Sequence, residues 1–250
     1  SLQRGQIPIG EIRLGIYGNE DPMYILAGLP FIAPDYSSAW LLKDVQMEYL
    51  QEKFDKKGLM ILYTAPWPGQ GFYTKFPVNS VSDFSGKKLR IYSTATQQMG
   101  SMLGFNATIL PFAEIPQAFS TGLIEALFTS PQTGIDIQAW DNTKHFTYAG
   151  AIFSKNAVVV TKKAFNALSK GDQSNMLAAA KKAELRGWEM SAETTKKQID
   201  ILKKNGMSSK NAPDEVISKM KSIGLEMMKN WRSKASPEAN AVLDRYLSMR

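Results

Sequence analysis

Apolar residues in the first two thirds of the chain fall into short runs that alternate with helical patterns. Runs typical of β-strands occupy residues 7–14, 59–65, 89–93, 107–111, 123–130 and 156–161. Between them, apolar side chains recur at three- and four-residue spacing over 36–57, 95–103 and 113–121, which predicts helices. Asp35 stands where it can cap the first of these helices, and Gly58 stands where that helix should end.

The last third of the chain changes to an almost entirely helical pattern. One helix is predicted over 172–205, since this stretch contains no proline, and Gly206 marks its end. Pro213 and Pro237 open two further helices, because proline is tolerated in the first helical turn. Strands alternating with helices, followed by a helical tail, predict a doubly wound α/β sheet with a C-terminal helical layer.

Composition removes several classes of protein. The 250 residues are 44% hydrophobic and 21% charged, close to the globular average, and contain no cysteine, so neither disulfides nor thiolate chemistry is expected. No apolar run is long enough to cross a bilayer, so we expect no direct membrane insertion. The net charge of +7 resides mostly in helical stretches without a recognition motif, so nucleic acid is not an expected partner.

The sequence offers little for catalysis. His145 is the only histidine, and no GxSxG, HExxH, Walker or EF-hand motif occurs. Gly69 and Gly71 lie between two prolines with no helix opening after them, so they do not form a phosphate loop. We therefore predict no catalytic residues, no metal and no cofactor. An α/β enzyme that processes small acids and a sensor or scaffold subunit are the alternatives to a binding protein.

Three polar and aromatic stretches follow predicted strands, at 65–74, 90–92 and 129–134. In open α/β sheets ligands bind beyond the carboxyl ends of strands, so these stretches are candidates for one cleft. The planar guanidinium of Arg90 suits a carboxylate, because it donates two parallel charge-assisted hydrogen bonds. On these grounds alone, a structural salt bridge from Arg90 to Glu114 or Glu125 is an equally good interpretation.

Several motifs resemble the solute-binding subunit of a tripartite ATP-independent periplasmic (TRAP) transporter, of the DctP type. They are GKKLRIYS, PFAEIPQAFSTGLIEALFTSP, TGIDIQAWD, KNAVVVTKKAFNALS and, nearer the start, DPMYILAGLPFIAPDYSSAW. The resemblance covers nearly all of the chain. It implies an α/β, two-lobed periplasmic-binding-protein-like fold in which crossing strands join the lobes. A long helix, matched by 172–205, spans both lobes, and a helical C-terminal layer completes the fold.

The resemblance also implies a division of the chain. Residues 1–66 and 157–196 form the first lobe, and residues 67–156 and 197–250 form the second lobe, which carries Arg90. Family members begin with a further strand–helix–strand–helix unit before the RGQ segment, so we expect the first lobe to be incomplete at its N-terminus.

The resemblance assigns roles to four residues. Arg90 ends the GxKxR strand and would grip the ligand carboxylate, while Phe112 would stack on the ligand. Ser130 stands where the family often has an asparagine before proline, so its shorter side chain weakens the case for a direct bond. Glu11 would meet ligand hydroxyls.

The predicted ligand is a small organic acid, most simply a monocarboxylate with a ring or hydroxyl groups, such as an aromatic or sugar acid. The remaining candidate contacts are the aromatic and polar side chains of Trp67, Gln70, Phe72, Tyr92 and Gln132. Phe72 and Trp140 are equally consistent with core packing. A C4-dicarboxylate or keto-acid binder of the same family is the alternative. The implied protein is a periplasmic monomer that delivers its ligand to TRAP membrane permease subunits.

Overall fold

The computed structural model describes residues 1–250 and contains nine strands and eight α-helices. The strands are β1 (Ile9–Arg13), β2 (Leu59–Pro66), β3 (Gly71–Thr74), β4 (Lys88–Ile91), β5 (Asn106–Ile109), β6 (Ala126–Thr129), β7 (His145–Tyr148), β8 (Lys155–Thr161) and β9 (Ser208–Asn211). The helices are α1 (Tyr36–Asp55), α2 (Thr94–Met102), α3 (Ile115–Ser120), α4 (Pro131–Asp136), α5 (Lys162–Asn166), α6 (Lys170–Lys204), α7 (Asp214–Lys234) and α8 (Pro237–Met249). None of the helices combines the length and the apolar character that a membrane span requires.

The smaller sheet has three antiparallel strands in the order β1-β8-β2. Its register pairs Arg13 with Asn156, and Pro66 with Lys155. The last residues of β1 and β2 therefore lie beside the first residues of β8, at one end of this sheet. The chain leaves and re-enters the sheet at that end.

The larger sheet has six strands in the order β5-β4-β6-β3-β7-β9. Strand β4 is parallel to β5 and β6, whereas β3 is antiparallel to β6 and β7. The mixed α/β class is confirmed, but the single doubly wound sheet is wrong, because the strands divide between two sheets. The second half of the predicted 65–74 loop is strand β3, all four residues of which are buried.

Helix α6 connects the two sheets. It runs for 35 residues, with the Ser169 hydroxyl capping its first turn. Near its middle, Trp188 packs edge-on against Trp40 of α1 at 5.1 Å between ring centroids. Closer to its end, Gln198 donates a hydrogen bond of 2.9 Å to Gln132 of α4. This bridging position confirms the long helix that the sequence predicts.

The two C-terminal helices cover different parts of the molecule. Helix α7 packs on α2 beside the larger sheet, whereas α8 packs on α1. Tyr246 of α8 is fully buried and its hydroxyl donates to the Ile32 carbonyl at 2.7 Å. The C-terminal helical layer is thus present, and the division of the chain into two lobes at the predicted boundaries stays a prediction.

Candidate functional site

Arg90 occupies the position that the sequence singles out, near the end of β4. The hydroxyl of Ser93 caps α2 directly after this strand, accepting from Thr96 N at 3.2 Å, so the strand end is fixed. The Arg90 side chain is only 2% exposed, and its Nε donates to the Leu110 carbonyl at 3.1 Å. A backbone carbonyl therefore helps to hold the guanidinium in place.

No protein carboxylate pairs with Arg90. None of the salt bridges in the structure includes it. Glu125, one of the two partners considered, instead accepts from Lys88 N at 3.3 Å, and Glu114 is exposed. The structural salt bridge to Glu114 or Glu125 is therefore wrong, and the Arg90 charge has no carboxylate partner within the protein.

Burial, and secondarily the Arg13 guanidinium, lowers the pKa of Arg90 to about 10. Arg90 still carries its charge at neutral pH. A charged group removed from water without a counter-ion costs free energy, and such groups concentrate at functional sites.

A chain of hydrogen bonds runs beside Arg90 into the segments that connect the sheets. The Tyr92 hydroxyl donates to Gln70 Oε1 at 2.6 Å, and Gln70 Nε2 donates to Ser154 Oγ at 3.0 Å. Burial raises the pKa of Tyr92 to about 12, so its phenol remains protonated. The structure thus brings Arg90, Tyr92 and Gln70 together, as the sequence predicts, and adds Ser154.

Sequence reasoning missed Arg13. Its guanidinium carbon lies 5.1 Å from the centre of the Tyr92 ring, and its Nε is buried without a hydrogen-bond partner. Arg13 is the last residue of β1 and Arg90 is the second-to-last residue of β4, so a cation at the end of a strand is the signal that marks both. The family resemblance drew attention to Glu11 of this strand but not to Arg13.

Trp67 and Glu11 meet at Asn156, near the same end of the smaller sheet. Trp67 Nε1 donates to Asn156 Oδ1 at 3.0 Å, and Asn156 Nδ2 donates to Glu11 Oε1 at 2.8 Å. Glu11 is exposed and Trp67 is half-buried. Both stay candidate contacts, although their polar atoms already have protein partners.

Ser130 and Gln132 have structural partners on α4. The buried Ser130 hydroxyl caps this helix by accepting from Thr133 N at 3.1 Å. Gln132 donates to Asp136 Oδ1 at 2.7 Å and accepts from Gln198 of α6. These bonds fix α4 against α6, and whether either side chain also reaches a ligand stays a prediction.

The two predicted phenylalanine contacts lie in opposite environments. Phe72 has no exposed surface, and its ring packs 4.9 Å from Phe84 and 4.8 Å from Phe128, inside the core of the larger sheet. Of the two interpretations of Phe72, a ligand contact and core packing, its environment agrees with core packing. Phe112 is 49% exposed and lies two residues after Leu110, whose carbonyl holds Arg90. Trp140 packs partly buried against the smaller of the two hydrophobic clusters.

No group of three or more histidine, cysteine, aspartate or glutamate residues is placed to hold a metal ion. Asp21 pairs with Lys53, and Glu20 with Lys57. The arrangement is cationic and rich in hydrogen-bond donors, which suits an anionic organic ligand.

The profile of one protein family matches residues 1–234; it is described as Bacterial extracellular solute-binding protein, family 7 (DctP). Among solved structures, the extracytoplasmic solute receptor DctP7 of Bordetella pertussis, described as binding pyroglutamic acid, is 37% identical with a TM-score of 0.95. The match covers 98% of this chain and 81% of that chain. A TRAP solute-binding protein from an unidentified marine microbe, described as specific for pyroglutamate, is 32% identical with a TM-score of 0.93, over 99% and 81% of the two chains.

A curated relative is more distant in sequence. A solute-binding protein of Chromohalobacter salexigens is 24% identical over 204 residues, which are 78% of this chain and 60% of that protein. The chain therefore spans about three fifths of the length of this relative.

Proposed function

The chain belongs to the bacterial extracellular solute-binding proteins of family 7, and from this premise we propose that it captures a small cyclic monocarboxylic acid of the pyroglutamate class. The family consists of solute-binding proteins rather than enzymes, which confirms the predicted class. Delivery to a TRAP membrane permease, outside the cytoplasm, is the role proposed for the bound complex.

The observation that carries the proposal is the buried, unpaired charge of Arg90. A single carboxylate would supply the missing counter-ion, and the planar fork of the guanidinium would orient it. Hydrogen bonds to charged groups contribute about 1.5 to 3 kcal/mol each, so two parallel bonds can anchor a small acid. No carboxylate of the protein forms a salt bridge with Arg90 that would give this charge a purely structural role.

The size and shape of the ligand are proposed from two relatives. Both solved structures described above are more than 30% identical to this chain and are described as binding pyroglutamate or pyroglutamic acid. Pyroglutamate is a five-membered lactam with one carboxylate, which agrees with a ring-bearing monocarboxylate. Phe112, half exposed beyond Leu110, is the proposed stacking surface for the ring.

Binding is proposed to close the two sheets over the ligand. A ligand that contacts both sheets favours the closed arrangement by its additional contacts, so the closed population rises on binding. The receptor is proposed to act as a monomer, which size-exclusion chromatography with light scattering measures directly.

Titration calorimetry tests the proposed ligand. Pyroglutamate should bind, whereas 2-pyrrolidone, which has the same ring without the carboxylate, should not. Arg90→Met should weaken pyroglutamate binding by about 100-fold or more, because two charge-assisted bonds are lost. Arg186→Gln removes an exposed arginine of α6 and should leave affinity unchanged.

Other acids decide between this proposal and its alternatives. Succinate and pyruvate represent the dicarboxylate and keto-acid alternatives, and galacturonate represents the sugar acids. Tighter binding of any of these than of pyroglutamate would refute the lactam, although it would leave the carboxylate anchor in place. Unchanged affinity in Arg90→Met would remove the anchor itself.

A further inference from the structure

An arginine of the smaller sheet lies against an aromatic ring that follows Arg90 in the larger sheet. Arg13 ends a strand of the smaller sheet, and its guanidinium carbon lies 5.1 Å from the Tyr92 ring centroid. Tyr92 follows Arg90 by two residues at the end of a strand in the larger sheet. Arg13 and Tyr92 are also the two charged or polar side chains whose electrostatic influence reaches Arg90, so the three groups are neighbours.

Neither arginine has an acidic partner. No salt bridge in the structure includes Arg13 or Arg90, and the Arg13 Nε is a buried donor with no acceptor. A third cation, Lys155, lines the same narrow cavity as Arg13 and Tyr92 and is only 6% exposed. The nearest acid on β1, Glu11, is bonded to Asn156. The junction of the two sheets therefore holds concentrated positive charge without compensation.

The proximity of the two guanidinium groups has an electrostatic signature. The charge of Arg13 is, after burial, the largest cause of the lowered pKa of Arg90. Like charges that approach in a poorly solvated region repel one another, and an anion between them removes that repulsion.

We infer that Arg13 and Arg90 clamp the same ligand carboxylate from the two sheets, so that the acid neutralises the repulsion that otherwise opposes their approach. This inference rests on the proposed function and adds a second anchor, from the opposite sheet, to it. It makes the charge of the ligand, rather than its ring, the feature that draws the sheets together. An uncharged analogue of the same shape would leave the repulsion in place.

The test uses the smallest carboxylate and its uncharged isostere, followed by pyroglutamate. Thermal unfolding is recorded at low ionic strength with acetate or acetamide added to the wild-type protein, Arg13→Gln, Arg13→Lys and Arg186→Gln. Acetate should raise the midpoint of the wild-type protein and of Arg186→Gln, and acetamide should not. Arg13→Gln should need at least tenfold more acetate for the same shift, while Arg13→Lys recovers part of the response because it keeps the charge.

Pyroglutamate affinity should fall by about 10- to 100-fold in Arg13→Gln, corresponding to one lost charge-assisted contact. Without ligand, the same variant should unfold at a higher temperature than the wild-type protein, because one of two opposed buried charges has been removed. A merely structural Arg13 would give the opposite pattern, with a lower midpoint and an unchanged response to acetate, which would overturn the inference.

The outcomes separate this inference from the proposed ligand. If acetate stabilises the wild-type protein but not Arg13→Gln, while pyroglutamate does not bind, the two-arginine clamp stands and the lactam is refuted. If pyroglutamate binds equally to the wild-type protein and Arg13→Gln, the proposed ligand stands and the clamp is refuted. If neither carboxylate affects the wild-type protein, both are refuted.

Discussion

Lys155 should make the stability of this protein depend on pH in an unusual direction. Its ammonium group is 6% exposed, donates one hydrogen bond of 2.7 Å to Gln46 Oε1, and has no carboxylate partner. Burial, and secondarily the neighbouring Lys43, lowers the pKa of Lys155 to about 7. In the unfolded chain a lysine titrates near ~10.4.

Between these two pKa values the unfolded chain binds a proton that the native protein does not. The free energy of unfolding should therefore rise with pH, by at most ~1.4 kcal/mol per pH unit and by about 2 kcal/mol between pH 7 and pH 9. Below pH 7 both the native and the unfolded state bind the proton, so the free energy of unfolding no longer changes with pH through this group. In that range the buried ammonium is charged and lowers the stability by its full amount.

Urea unfolding at pH 7, 8 and 9 measures this contribution in the wild-type protein and in Lys155→Met. The variant also leaves the Gln46 carbonyl oxygen without its donor, but that loss does not depend on pH and shifts the whole curve. The unfolding free energy of the wild-type protein minus that of Lys155→Met should increase by about 2 kcal/mol from pH 7 to pH 9. Lys196→Met, at an exposed site on α6, is the matched control. Parallel curves for wild type and Lys155→Met would refute the reasoning.

Two further predictions concern stability, both measured by urea unfolding at pH 7. Glu184→Gln should cost about 1 to 2 kcal/mol, because Glu184 pairs at 3.3 Å with the buried Lys43 ammonium, which keeps Asp44 as a second partner, whereas the exposed Glu189→Gln should cost almost nothing. Gly224→Ala should cost about 1 to 3 kcal/mol, because a methyl group there would overlap the Pro30 carbonyl, while Gly187→Ala has room and should gain about 0.5 to 1 kcal/mol. Equal losses within either pair would contradict the prediction.

The long periodic elements were predictable because their apolar positions repeat. Helix α1 begins after the Asp35 cap, as expected, and α6 starts two residues before its predicted start. Strands β3, β7 and β9 were missed, and β3 and β9 were missed for different reasons. All four residues of β3 are buried, so no alternation marks it, and β9 consists of the polar sequence SSKN. Both β3 and β9 become strands because they pair with strands that are distant in the sequence, and no local pattern of apolar residues reveals that pairing.

The site was predictable only where a motif pointed to it. Arg90, Tyr92 and Gln70 come together as expected, because Arg90 and Tyr92 lie at the end of β4 and Gln70 directly precedes β3, which β6 separates from β4 in the larger sheet. Arg13 lies 77 positions before Arg90 in the numbering, and nothing local links the two. Their convergence depends on the crossing segments, where Trp67 N donates to the Ser154 carbonyl at 2.7 Å. The approach of residues so far apart in the chain leaves no periodic pattern in the sequence from which it could be predicted.

The three cations at the junction of the sheets, of which Arg90 and Lys155 are buried and Arg13 is half-buried, differ in how they can relieve their electrostatic cost. Lys155 can release its proton near neutral pH, since its pKa is lowered to about 7. Arg90, with its pKa lowered only to about 10, keeps its charge, and arginine in general does so. An anion from outside can compensate the two arginines, because neither forms a salt bridge with a protein carboxylate. A fold that leaves this charge uncompensated sacrifices stability at the place where a small acid can restore it.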